Sequence, residues 1–372
     1  MIFLDNASTT RPFDEVTALV AKISQELFFN ASATYRAGIE SYSALNAARE
    51  TLAGLLGCLP EEVYFTSGGT ESDNIALFSG YKNKRGCIIS SEIEHPAVHN
   101  CVLEWKSRGA EVRFVRTLPD GHLDEAHFKS LLEGEVSLVS LMQVNNETGV
   151  VNDVVKFARL AKEHAPDCVV HCDGVQGFLK SPVDLSDIDL YSMSAHKING
   201  PKGVGALYLK KSLHVKSPVF GGGQERGLRS GTENVPGACG FAKAAELYAA
   251  RKPEIFAAAE RIRETLLSAF GREGLDFRVN GGGRVQENIL SVSFGGMKAE
   301  ILYQLLSDRG IYVSRGSACS TKVKTTRIAR ALNLPKRYAE GTMRFSSGYG
   351  NTVEDAETAA RAVCEFVKKY AV

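Results

Sequence analysis

Short apolar runs rich in β-branched residues alternate with stretches whose apolar positions recur every three or four residues throughout roughly the first 250 residues. Runs at 63–66, 87–90, 112–115, 136–142, 168–172, 190–194 and 205–209 predict strands. The periodic stretches 42–56, 73–79, 97–107, 123–132 and 154–163 predict helices. Alternation at this spacing predicts an α/β fold whose mostly parallel sheet is covered by helices on both faces. Ligands of such sheets sit at the carboxyl ends of the strands, where the connecting loops meet. After Pro236 the texture changes. A long helical stretch, 237–270, leads into strands at 288–294, 311–313 and 342–346, with a helix at 299–309. Val353, Ala356, Ala360, Val363, Val367 and Tyr370 then recur at helical spacing. This half predicts a smaller α+β C-terminal domain, with the boundary inside the long helix near residue 250.

Composition narrows the class. With 372 residues, 44% hydrophobic and 23% charged, the chain is long enough for one large domain and a smaller one. Its 44 Lys and Arg against 43 Asp and Glu leave a net charge of +1. Such balance gives no reason to expect direct nucleic-acid binding or an anionic membrane surface. No apolar run approaches the roughly 18 residues that span a bilayer. The opening Met1-Ile2-Phe3-Leu4-Asp5 lacks the regions of a signal peptide. Eight cysteines without a Cys-x-x-Cys read as reduced thiols, seven of them inert, and a cytoplasmic location is expected.

Against this background a few segments carry chemistry. Lys197, in Ser194-Ala195-His196-Lys197, follows an apolar strand and precedes a Gly-Pro turn, a setting that holds an amine for a Schiff base. Ser67-Gly68-Gly69-Thr70 joins a strand to a helix, so that backbone N–H groups and the Thr70 hydroxyl can receive an anion. It lacks the Gly-Lys-Ser/Thr of a Walker loop, and a plain Gly-rich turn reads equally well. Asp173 ends a buried strand, where a carboxylate needs a partner; a pyridinium N–H would serve, and so would a helix cap. His95 follows a strand in a loop and could stack on a flat ring and move protons. His95 and His99 have i,i+4 spacing but lack a third ligand, so no metal is expected. Cys319, in Gly316-Ser317-Ala318-Cys319, sits among small residues near Arg315, Lys322 and Lys324, which favour a thiolate. Arg344 emerges from an apolar strand and suits a carboxylate bidentately, in a substrate or in an ion pair.

Taken in order, these segments resemble the cysteine desulfurases of the NifS/IscS type, in the class-V aminotransferase superfamily. The resemblance also draws on Leu4-Asp5-Asn6-Ala7-Ser8-Thr9-Thr10, Glu94-His95-Pro96-Ala97-Val98, Asn145-Asn146-Glu147-Thr148-Gly149, Asp173-Gly174-Val175-Gln176 and Gly221–Thr232, and it covers nearly the whole chain. It implies the type I fold of pyridoxal-phosphate-dependent transferases. The large cofactor-binding domain would be 13–250; residues 1–12 would join 251–372 in the small domain carrying the Cys319 loop.

The resemblance implies that pyridoxal 5′-phosphate is bound covalently by Lys197, that Asp173 pairs with its ring nitrogen, Gln176 with its phenolic oxygen, and that His95 stacks on the ring. Gly69, Thr70, Ser194 and His196 would hold the phosphate, with Thr232 reaching it from the other subunit of a homodimer. Asn146, also near the cofactor oxygen, and Arg344 would fix the carboxylate of L-cysteine. Lys197 and His95 would move protons, and Cys319 would take the sulfur as a persulfide, leaving L-alanine. A sulfur-acceptor or iron–sulfur scaffold protein, or a tRNA-thiolation route, would then receive it. Selenocysteine lyase is the nearest alternative, and a class-V aminotransferase without need of Cys319 a more distant one. Two departures stand out: a basic stretch, Thr321–Arg327, follows Cys319 where relatives are often Ser-rich, and Tyr35 stands where they commonly have His.

Overall fold

The computed structural model describes residues 1–81, 85–316 and 327–372. The chain begins with β1 (Ile2–Phe3), α1 (Asp14–Glu26) and α2 (Arg36–Leu56). Strands and helices then alternate: β2 (Val63–Thr66), α3 (Gly69–Gly80), β3 (Cys87–Ser91), α4 (Pro96–Ser107), β4 (Val112–Val115), α5 (Glu125–Leu131), β5 (Val136–Met142), α6 (Val154–His164) and β6 (Val169–Asp173). Next come β7 (Leu190–Ser194), β8 (Gly205–Leu209) and α7 (Val235–Arg272). The remainder comprises β9 (Phe277–Val279), β10 (Ile289–Phe294), α8 (Ala299–Asp308), β11 (Ile311–Tyr312), β12 (Ser314–Arg315), α9 (Arg327–Ala331), α10 (Lys336–Ala339), β13 (Thr342–Ser346) and α11 (Val353–Tyr370).

Seven strands form one sheet in the order β2-β8-β7-β6-β5-β3-β4. Its pairs from β7 through β4 are parallel, while β8 runs antiparallel to both β2 and β7. The strand side-chain period of two sorts neighbouring residues to opposite faces. Ile89, Val139 and Val170 enter the core beneath α2, α5, α6 and α7, whereas Ile88, Leu138 and Val169 pack under α3 and α4. Buried on both faces, these strands read as continuous apolar runs, the pattern parallel sheets require. The same alternation puts His171 with Asp173, and Ser192 with Ser194, on the α3 face.

A second, four-stranded antiparallel sheet has the order β12-β13-β10-β9. It shares a separate core with α8, α11 and the end of α7, built around Phe270, Phe294 and Phe345. Leu4 is buried in that core, β1 pairs in parallel with β11, and Asp5 bridges to Ser346. The helix α7 is continuous over 38 residues despite Pro253, and joins the two cores. Among the described residues no helix is long and apolar enough to cross a membrane.

Candidate functional site

In the sheet order, β3 lies between β4 and β5, so the chain leaves β3 toward one side and returns to the other. The loops after β3 and β5 diverge there and open a crevice at the carboxyl ends of the strands. The loop after β3 carries His95 and the loop after β5 carries Asn146; Asp173 ends β6, and Ser194 ends β7. With Gly69, Thr70, Val175, Gln176, His196, Lys197 and Arg344 they line one cavity of about 380 Å³.

Lys197 projects from the short turn after β7, and its Nζ donates to the carbonyls of Ala7 and Ser8, both at 2.7 Å. Burial, reinforced by Arg344, pushes its ammonium down to about 8. An ordinary lysine stays charged to about 10.4, so this amine is neutral and nucleophilic far closer to neutrality. Uptake of an aromatic aldehyde, taken as the difference from Lys197→Ala, is expected to quicken with pH up to about 8 and then level off. A rate still climbing near pH ~10 would show an ordinary lysine.

Asp173 is buried, and among the described residues the hydrogen bond its carboxylate receives is from Val175 N to Oδ1, at 2.9 Å. Burial, with Asp73 close by, lifts its carboxyl to about 6. A cationic N–H in the cavity would reverse that shift. Gly174, directly after it, lies flat against Tyr191; a Cβ there would come within 1.9 Å of the ring. Beneath Asp173, His171 joins Ser140 at 2.8 Å and Ser192 at 3.0 Å. Its Nε2 is 3.5 Å from Asp73 Oδ1, yet burial holds the imidazole down at about 4 and the Asp73 carboxyl up at about 7. With the imidazole neutral at physiological pH, that contact is not an ion pair.

His95 caps α4, its Nδ1 accepting from Ala97 N at 3.2 Å, which leaves the proton on Nε2. Burial keeps the ring neutral by lowering its pKa. Glu94 pins this loop to the sheet, its Oε1 accepting from Ser91 Oγ at 2.5 Å and Met142 N at 3.1 Å. Arg344 is held by three acceptors: Asn146 O and Asp5 Oδ1, each at 2.7 Å, and Ser8 Oγ at 2.6 Å, while its buried Nε has no partner among the described residues. An ion pair thus fixes the guanidinium at the cavity wall.

The opposite end suits a phosphate. The first N–H inside α3 with a helical acceptor is that of Ser72, bonded to Gly68 O, so Gly69, Thr70 and Glu71 present free donors. Ser194 Oγ is buried without a partner among the described residues. His196 Nδ1 engages Thr9 Oγ1 at 3.1 Å, leaving Nε2. An anion cradle, a buried carboxylate and an amine of lowered basicity together fit pyridoxal 5′-phosphate.

Two expected residues are not in this cavity. Thr232 is exposed beyond the 221–231 loop, and Cys319 lies outside the described residues. On either side of the latter, Gly316 N reaches Thr342 O at 3.4 Å, and Arg327 donates to the carbonyl of Glu94 beside His95. The other seven cysteines are free and buried or half-buried. The contributions of Ala7, Ser8 and Asp73, which also line the cavity, were not expected from the residues themselves; the carbonyls carry no side-chain signal at all.

Residues 2–358 match the class-V aminotransferases. A cysteine desulfurase of Sinorhizobium fredii is 40% identical over 99% of this chain and 97% of its own. A cysteine desulfurase IscS of Methanosarcina thermophila is 36% identical, covering 99% and 92%. Among solved structures, a NifS-like protein superposes with a TM-score of 0.91 at 33% identity over 99% of both chains. SspA, solved in complex with cysteine, gives 0.82 at 29% identity over 94% of this chain and 99% of its own.

Proposed function

The chain belongs to the class-V aminotransferase family, and from that premise we propose that it is a pyridoxal 5′-phosphate-dependent cysteine desulfurase that turns L-cysteine into L-alanine and passes the sulfur to Cys319. The observation that carries this reading is the convergence of Lys197, Asp173, His95 and Arg344 on one cavity, with an anion cradle at its far end.

When bound, the cofactor supplies a carbonyl that joins the substrate amine and a ring that takes up the electrons left as the Cα proton departs. Thr70, Ser194, His196 and the free N–H groups of α3 would hold its phosphate; Asp173 would accept from its ring nitrogen, and Gln176 would donate to its phenolic oxygen. His95 would lie against the ring. Arg344 and Asn146 orient the substrate carboxylate. The Lys197 amine, lowered in basicity by burial, removes the Cα proton. The Cys319 thiolate then attacks the substrate sulfur. A sulfur–sulfur bond forms and the carbon–sulfur bond breaks, its electron pair staying with carbon, which is protonated on the way to alanine.

A second copy of the chain completes the phosphate site in this reading. Thr232, just after the 221–231 loop, is exposed, as is Phe220 at 92% just before it, along with Phe28, Tyr35, Ile39 and Tyr42. Phe28 and Tyr35 both contact the Phe29 ring, and Tyr35, Ile39 and Tyr42 recur at helical spacing, a shared exposed face of the kind another protein covers. The IscS-type relatives support delivery of the sulfur to an iron–sulfur scaffold.

Purified protein given pyridoxal phosphate and L-cysteine is expected to form alanine and, with a thiol reductant, an equal amount of sulfide. Cys319→Ala should bind the cofactor as wild type does but lose at least about 10²-fold in both products. Alanine formation undiminished in that variant would remove Cys319 as the acceptor. No alanine from the wild type would remove the reading itself.

A further inference from the structure

Lys180 is an enclosed cation that the reaction described above does not use. It is 5% exposed, and no carboxylate pairs with it among the described residues. Burial and the neighbouring Lys197 push its ammonium down to about 7. A lysine at such depth is less favourable than an apolar side chain of the same size, so packing alone does not account for it.

Among the described residues its side chain makes one hydrogen bond, from Nζ to Gln176 Oε1 at 3.1 Å. A lysine ammonium only donates, and the neutral amine still carries N–H groups. The ammonium draws the amide oxygen toward Lys180 and turns Nε2 the other way, and the observed Nζ to Oε1 contact has that orientation. Nε2 donates to Ala7 O at 2.7 Å, the carbonyl that also receives Lys197 Nζ. One of its two hydrogens is spent there; the other remains for the cavity that Gln176 lines. Gln286 Nε2 fixes the backbone of this residue from behind, donating to Gln176 O at 3.3 Å. An amide turned over would set its oxygen against the cofactor's phenolic oxygen, acceptor against acceptor.

We propose that Lys180 is a positioning residue that holds the Gln176 amide with its N–H toward the cofactor's phenolic oxygen. The proposal rests on the reading of Gln176 given above. It is tested with wild type, Gln176→Ala, Lys180→Met and the double variant. The readouts are pyridoxal 5′-phosphate affinity by equilibrium dialysis and the circular dichroism of the bound cofactor's visible band. Each single variant is expected to weaken binding roughly tenfold, the scale of one hydrogen bond, and to alter the band. The double variant is expected to be no weaker than Gln176→Ala alone.

Equal loosening by Lys180→Met in both backgrounds would mean that Lys180 acts by another route and would overturn the proposal. So would Lys180→Met with wild-type affinity and dichroism. A silent Gln176→Ala would instead bring down the reading of Gln176, and this proposal with it. The apo form of Lys180→Met should melt at or above the wild-type temperature, because a buried charge has gone. Should methionine pack badly, Lys180→Leu carries the same expectations.

Discussion

Replacing Lys197 by alanine should leave a folded protein that forms alanine from cysteine about 10²–10⁴-fold more slowly, the range of a lost general base. Two functions go with the amine: covalent tenure of the cofactor and abstraction of the Cα proton. The first is read from loss of the visible absorption of lysine-bound pyridoxal, the second from the rate. Stability should change little. The variant gives up two hydrogen bonds to Ala7 O and Ser8 O, but it also removes an amine that burial already holds well below the usual lysine range. Added small primary amines should restore part of the rate if proton abstraction is the missing step. A variant within tenfold of wild type would exclude Lys197 from both roles.

Glu225→Ala is expected to destabilise the fold by about 3–5 kcal/mol, the cost of leaving a buried charge without its partner. Arg49 and Glu225 pair bidentately, Nη1 to Oε2 and Nη2 to Oε1, both at 2.8 Å, with side chains 6% and 4% exposed. Glu225 Oε2 also accepts from Phe65 N at 2.9 Å, and Arg49 Nη1 donates to Val63 O at 2.5 Å. The pair therefore ties the 221–231 loop to β2. The loop needs the tie, because Glu225 and Arg226 sit at φ 48° and 53°, left-handed values that side chains other than glycine adopt at a cost. The denaturation midpoint of the variant should fall accordingly. Converting both partners, Arg49→Met with Glu225→Leu, should recover much of the loss, since a well-packed apolar pair replaces ions that were costly to desolvate. A single variant as stable as wild type would show that other contacts hold the loop.

The sheet was legible because its strands are buried on both faces and read as apolar runs. Their direction was not: Gly205–Leu209 has the same texture as its neighbours, yet runs antiparallel to both. For α3 the periodic stretch 73–79 marks only the body, because its first turn, Gly69-Thr70-Glu71-Ser72, is polar. Gly69 and Thr70 line the cavity, Glu71 pairs with Arg229, and Ser72 is buried against Thr66. The run 168–172 stops one residue short of Asp173, which closes β6. A carboxylate at a strand end is a visible anomaly, and so is a lysine between a strand and a Gly-Pro turn. Lys180 is not, since nothing in Gly177-Phe178-Leu179-Lys180 says that its ammonium is enclosed. Ala7 and Ser8 act through carbonyls, from 190 and 189 residues away. No local pattern reports that.

Ala7 and Ser8 are translated well before Lys197, and Ser346 well after it. Between them the chain makes Lys197 and the whole seven-stranded sheet, which can fold as it emerges. The two carbonyls that receive the lysine amine cannot take their places so early. Ala7 N is anchored to Ser346 Oγ at 2.9 Å, and Ile2 and Phe3 pair with Ile311 and Tyr312. Residues translated well before Lys197 are thus seated only after residues translated well behind it, and the environment of Lys197 is finished only once Ser346 has been made.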